Sequence, residues 1–206
     1  MNLAASCDTA RMQPPRSKEI TGIILAGGLA RRMQGQDKGL LPYQGRPLIE
    51  HVSERLRPQV GRLCINANRH LETYRVYGYP VFEDSWPDYH GPLAGFYSAL
   101  QHCEGDWFCF VPCDTPLLPE DLVTRLCAAA TEQQVPLVSV TDGQHLHGTL
   151  ALLHRSCEPA LLAYYDQGHH RVQEWIRSQP HALVDYSDQP AALKNINEPQ
   201  QLDKQS

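Results

Sequence analysis

Short apolar runs alternate with segments of helical period through the first three quarters of the chain. "GIILA" (Gly22 to Ala26) reads as a buried strand, "RLCIN" as a second ending at Asn66, and "PVFED" as a third ending at Asp84. "DWFCFVPCD" is the most apolar run and reads as a strand ending at Asp114. Between these lie helical patterns. "PLIEHVSERLRPQV" spaces Leu48, Val52 and Leu56 at i, i+4 and i+8, with Pro47 suited to the first turn. "GPLAGFYSALQHC" gathers Leu93, Phe96, Tyr97 and Leu100 on one face, and "PEDLVTRLCAAA" opens with the dipole-compatible Pro119, Glu120 and Asp121. After Ala130 the alternation loosens. "PLVSV", "TLALLH" and "ALVDYS" read as strands, with helices near Glu158 to Tyr165 and Arg171 to Arg177.

Strand and helix in alternation predict an α/β fold. It is a Rossmann-like three-layer α/β/α arrangement with a mostly parallel central sheet and right-handed crossovers. Ligands of such sheets gather beyond the carboxyl ends of the strands. Four strands predicted to end at Ala26, Asn66, Asp84 and Asp114 therefore place their polar residues on one edge.

Composition narrows the function classes. At 206 residues, with 42% hydrophobic and 20% charged positions, the chain supports a sizeable core. A net charge of -5 and the lack of a long basic run argue against nucleic acid as partner. No apolar stretch approaches the roughly 20 residues that span a bilayer. The first 20 residues lack a secretory h-region and are expected to form a disordered leader, with one domain over 21–206. Seven cysteines without a C-x-x-C pair suggest free thiols, buried at Cys109 and Cys113, and a reducing cytoplasm rather than a disulfide framework.

The candidate chemistry begins with "LAGGLARRMQGQDKGLLP". Gly27 and Gly28 directly after a strand let backbone N–H groups approach an anion, and Arg31, Arg32 and Lys38 add cations. Local composition alone leaves a solvated loop equally open. Asp114 in "PCDTP" ends a very apolar strand and needs a partner, which a hard cation or a capping role towards the helix at Pro119 would supply; Cys113 beside it reads as a packed side chain. Asn66 and Asn68 offer amides suited to base or sugar edges. In "GPLAG" the glycines suit either an accessible helix start or tight packing. His145 and His147 read as solvated loop residues.

Taken in order, "LAGGLARRMQGQDKGLLPYQGRPL", "NANRH", "GPLAG", "PCDTP" and a late "NINEPQQL" resemble the motifs of the molybdenum cofactor guanylyltransferases, the MobA family of the nucleotidyltransferase superfamily. The resemblance runs from about Thr21 to Leu202. It implies a fold of the nucleotide-diphospho-sugar transferase type. It also implies transfer of GMP from GTP to the terminal phosphate of molybdenum-molybdopterin, with release of pyrophosphate and with Mg²⁺, or Mn²⁺, as cofactor. Carried over by motif, Leu25, Ala26 and Gly27 line the GTP site, Lys38 contacts the phosphates, Asn66 and Asp84 belong to the GTP site, and Asp114 holds the metal. Arg32, Asn195 and Asn197 match positions on the pterin side. The same resemblance implies contacts with molybdenum-insertion and cofactor-delivery proteins or molybdoenzyme chaperones. Two departures stand out: Gln34 occupies a position where the family has glycine, and His147-Gly148 stands where it has His-Pro. A nucleotidyltransferase of other base or acceptor preference is the nearest rival, and a non-catalytic binding protein a more distant one.

Overall fold

The computed structural model describes residues 7, 12–28, 36–86 and 91–196. In chain order the elements are β1 (Thr21–Leu25), a hairpin of β2 (Pro42–Tyr43) and β3 (Arg46–Pro47), α1 (Leu48–Leu56), β4 (Arg62–Asn66), α2 (Leu71–Arg75) and β5 (Val81–Phe82). There follow α3 (Pro92–His102), β6 (Trp107–Pro112), α4 (Leu122–Gln133), β7 (Leu137–Thr141), β8 (Leu146–His154), α5 (Glu158–Asp166), α6 (Val172–Ser178) and β9 (Ala182–Asp185).

Seven strands form one sheet in the order β5-β4-β1-β6-β8-β7-β9. The pairs β1–β4, β1–β6, β4–β5 and β7–β9 are parallel, so the expected mostly parallel sheet is present. The exception is β8, which runs antiparallel to both neighbours. Only residues 142–145 separate it from β7, and a connection that short can close a hairpin but not a crossover.

Alternation along the strands divides the core into two layers. Ile24 faces Ile49, Val52 and Leu56 of α1, in a layer that also holds Leu122 and Leu126 of α4. Ile23 faces the opposite layer, with Leu93, Phe96 and Leu100 of α3, Leu161 of α5 and Trp175 of α6. There Phe96 stacks on Phe110 of β6 with ring centroids 4.0 Å apart. Three layers result, α1 and α4 on one face and α3, α5 and α6 on the other.

Several local expectations shift. The strands β5 and β6 stop at Phe82 and Pro112, so Asp84 and Asp114 stand in the turns beyond them. The strand read from "TLALLH" begins earlier, at Leu146. The hairpin β2–β3, turned by Gln44 and Gly45 at positive φ, and the short α2 carried no periodicity long enough to announce them.

The absence of a disulfide is corrected: Cys7 and Cys157 are bonded, with Cα atoms 4.3 Å apart across 150 residues of sequence. Spacing along the chain cannot register such a pair, because it depends on tertiary proximity alone. Cys64, Cys103, Cys109, Cys113 and Cys127 are free, with Cys109 and Cys113 buried as expected. Described residues ahead of β1 also pack: Ile20 is fully buried, Met12 lies against the core, and the Trp107 indole donates to the Gln13 carbonyl at 2.9 Å. No helix among the described residues is long and apolar enough to cross a membrane.

Phe110 is fully buried in the sheet centre. Phe110→Ala should therefore lower the unfolding free energy by about 3–5 kcal/mol in urea denaturation, and Phe110→Leu by less.

Candidate functional site

The site is assembled by the register of three parallel strands. Leu25 at the end of β1 lies opposite Asn66 of β4 on one side and Pro112 of β6 on the other. Main-chain bonds extend the alignment past the strands, from Ala26 N–H to the Asn66 carbonyl (2.8 Å) and from Cys113 N–H to the Leu25 carbonyl (3.1 Å). The chain then leaves the sheet at Ala26, Ala67 and Cys113, and the polar side chains that follow share one edge.

On the β4 side the amides of Asn66 and Asn68 clasp one carboxylate. Asn66 Nδ2 donates to Asp84 Oδ1 at 2.9 Å, and Asn68 Nδ2 donates to Asp84 Oδ2 at 2.7 Å. Asn68 Oδ1 accepts from the Asp84 backbone N–H at 2.8 Å, which fixes the orientation of its amide. The same Asn68 amide reaches the Gly27 carbonyl (3.2 Å), and Arg69 reaches the Gly28 carbonyl (3.2 Å). The start of the glycine-rich loop is thus tied to the 66–69 turn.

Two glycines make this approach possible. A β-carbon on Gly27 would stand 2.7 Å from Asn68 Nδ2, and one on Gly95 would stand 2.7 Å from both Asn66 Oδ1 and Leu25 Cδ2. Of the two readings of "GPLAG", Gly95 takes the packing one. Gly91 serves differently, because its φ of 76° ahead of α3 is a conformation that favours glycine.

On the β6 side, Lys38 Nζ donates to Asp114 Oδ2 at 2.9 Å. The Asp114 side chain is only 9% exposed, so this charge-assisted bond is little screened. Asp114 Oδ1 is buried and has no hydrogen-bond partner among the described residues. An orphaned carboxylate oxygen at a strand end suits a hard divalent cation. Mg²⁺ commonly takes one or two protein carboxylates and completes its shell with phosphate and water, so a single aspartate suffices. Burial pushes the neighbouring Cys113 thiol well up, with the Asp114 carboxylate adding to the effect, so Cys113 is a packed thiol and no nucleophile. The late segment docks on the same turn: the Asp114 carbonyl accepts from Ile196 N–H at 2.8 Å, and Thr115 Oγ1 donates to Asn195 Oδ1 at 2.9 Å.

The structure therefore brings together Leu25, Ala26, Gly27, Asn66 and Asp84 on one side and Lys38, Asp114 and Asn195 on the other, joined through the end of β1. Arg31, Arg32, Gln34 and Asn197 lie outside the described residues. His145 and His147 are elsewhere, both turned to Asp142, with His147 Nε2 3.1 Å from its Oδ2. Sequence reasoning overlooked Asp37, a 7%-exposed carboxylate beside Lys38, and its partner Tyr74 on α2. The pair of opposite charges in "QDKG" was the only signal available.

The sequence pattern of the MobA-like NTP transferase domain matches residues 22–183. A molybdenum cofactor guanylyltransferase of Photobacterium profundum is 43% identical over 188 residues, which covers 91% of this chain and 96% of the relative. One of Shewanella pealeana is 40% identical over 183 residues, 89% of this chain and 92% of the relative. Among solved structures, molybdopterin-guanine dinucleotide biosynthesis protein A of Archaeoglobus fulgidus superposes with a TM-score of 0.72 at 18% identity, covering 88% and 94% of the two chains. The 2-C-methyl-D-erythritol 4-phosphate cytidylyltransferase of Thermus thermophilus gives 0.66 at 15% identity, covering 87% and 94%. At such identities the superpositions show a common fold, that of the nucleotide-diphospho-sugar transferases.

The packing of Gly95 yields a direct test. Gly95→Ala should displace the Asn66 carboxamide and cost about 1–3 kcal/mol of stability by overpacking, read by urea denaturation.

Proposed function

Because the chain belongs to the MobA-like NTP transferase family and is a nucleotidyltransferase, we propose that it transfers GMP from GTP to the terminal phosphate of molybdenum-molybdopterin, releasing pyrophosphate. The product is the guanine dinucleotide form of the molybdenum cofactor, made in the cytoplasm. The observation that carries this reading is the meeting, on one sheet edge, of the Asn66–Asn68–Asp84 cluster with the Lys38–Asp114 pair.

The nucleophile is a phosphate monoester, whose second pKa of about 6 leaves it largely ionised near neutral pH. No side chain has to act as general base. The barrier lies instead in bringing two anions together and in charge that develops around the α-phosphorus. Lys38 answers both, by neutralising phosphate oxygens as it now neutralises Asp114. Asp114 would hold Mg²⁺, or Mn²⁺ in its place, which supplies Lewis-acid polarisation and a template for the phosphates. Attack is direct and in line, with no covalent enzyme intermediate. On the acceptor side Asn195 stands beside the Asp114 turn, and Arg32 and Asn197 are assigned with it to the pterin substrate.

Base choice is assigned to Asp84. Its two oxygens already receive the Asn66 and Asn68 amides, yet each keeps a second lone pair. A carboxylate held this way accepts from the N1–H and 2-amino group of guanine, whereas adenine presents an acceptor at N1. Leu25, Ala26 and Gly27 offer backbone to the nucleotide beside it.

The deciding experiment is pyrophosphate release from GTP in the presence of loaded molybdopterin. Asp114→Ala should reduce it by about a hundredfold or more, and release at the wild-type rate would overturn the assignment. Asp84→Asn should weaken GTP binding and relax discrimination against ATP. Competition among the four nucleoside triphosphates measures this, and unchanged selectivity would remove Asp84 from base recognition.

A further inference from the structure

Between the two halves of the site lies a buried polar contact to which the proposed chemistry assigns no role. The 3₁₀ turn Lys38–Leu40 carries the lysine, and Asp37 precedes it. Asp37 Oδ1 accepts from the Tyr74 hydroxyl at 2.5 Å, and the Asp37 backbone carbonyl accepts from the Leu40 N–H at 3.1 Å. Tyr74 is fully buried, and Asp37 nearly so. Tyr74 belongs to α2, whose first turn is bonded back to the 66–70 segment through Tyr74 N–H and the His70 carbonyl at 3.1 Å. That segment supplies Asn66 and Asn68. A continuous path therefore runs from the Asp84 cluster through α2 and Tyr74 to Asp37, and so to the backbone of Lys38.

Three features show that this contact is built rather than incidental. Burying a carboxylate and a phenol is unfavourable by comparison with an apolar pair of equal volume, so stability alone does not account for them. Burial pushes the Asp37 carboxyl up, although the Tyr74 hydrogen bond and the nearby Arg69 and His70 favour its ionised form. The glycine at position 39 is required by the pair. A β-carbon there would collide with the Tyr74 hydroxyl and stand 3.3 Å from two ring carbons, although the backbone itself needs no positive φ.

We propose that Asp37 and Tyr74 are positioning residues: their buried hydrogen bond, admitted by Gly39, anchors the turn bearing Lys38 to the base-binding side, and so places the lysine for the reacting phosphates. The inference rests on the phosphate role given to Lys38 above. Tyr74 and Asp37 touch no substrate and act only through the placement of that amine.

Single-turnover GMP transfer and GTP titration on the full chain separate the possibilities. Tyr74→Phe keeps the ring and loses only the hydroxyl. Its rate should fall about tenfold while KM for GTP moves by less than about twofold, since misplacing a catalytic group affects the transition state more than ground-state binding. Asp37→Asn, which still accepts the hydroxyl, should retain more activity than Asp37→Ala. Gly39→Ala should impair transfer, and Tyr74→Phe in the same chain should partly restore it by removing the atom that the new methyl meets. In a Lys38→Ala background, Tyr74→Phe should cost nothing further, because the residue through which it acts is gone. A Tyr74→Phe enzyme with the wild-type rate per folded molecule, or with a full additional loss on top of Lys38→Ala, would overturn the coupling alone. Full activity in Lys38→Ala itself would overturn the phosphate reading, and the coupling with it.

Discussion

Parallel pairing of β1 with both neighbours is the constraint on which the rest of the site depends. With Leu25 held opposite Asn66 and Pro112, three chain segments must leave the sheet at the same level. Each then turns back over the edge within a few residues. Ladder hydrogen bonds hold β1, β4 and β6 rigid, so polar groups placed just beyond their ends inherit that rigidity without belonging to the ladder. This explains how the Asp84 and Asp114 carboxylates, the Asn68 amide and the Lys38 amine can be held at hydrogen-bond distances although none of them belongs to a strand, while the Asn66 amide stands on the last residue of β4.

The edge also sets the electrostatics. Asp114 and Asp37 are both nearly buried, and each has one oxygen that finds no partner within the described protein. Such groups are unfavourable to the fold and persist where their unmet capacity serves a ligand or a precise placement. Lys38 is the common neighbour: its side chain offsets the charge of Asp114, and its backbone is anchored by Asp37. The two glycine contacts have the same logic in steric form. Gly27 and Gly95 leave room for amides that any β-carbon would displace.

Much of this was legible in the order of residues. The apolar runs of β1, β4 and β6 and the helical periods of α1, α3 and α4 specify alternating elements, and such elements admit few layered solutions. The strand-end polar residues then fall on one edge by topology. Less visible were α2 and the β2–β3 hairpin, each too short for periodicity to accumulate, and the antiparallel course of β8, which depends on the brevity of the turn before it. The Asp37–Tyr74 contact joins residues 37 positions apart, and no local pattern marks a tyrosine in a five-residue helix as the partner of a loop aspartate.

By itself the sequence determined the fold class, the family and the candidate site residues on one sheet edge, because these rest on local periodicity and on motifs of fixed spacing. Tertiary structure alone decided which of those residues touch: that Asp84 is clasped by both asparagines, that Lys38 closes on Asp114, that Asn195 docks beside the same turn, and that Cys7 meets Cys157. The physical reason is the same in each case. Hydrogen bonds and disulfides act over a few ångströms in space, and distance in space between residues far apart in the chain is set only when the sheet register and the packing of both layers are complete.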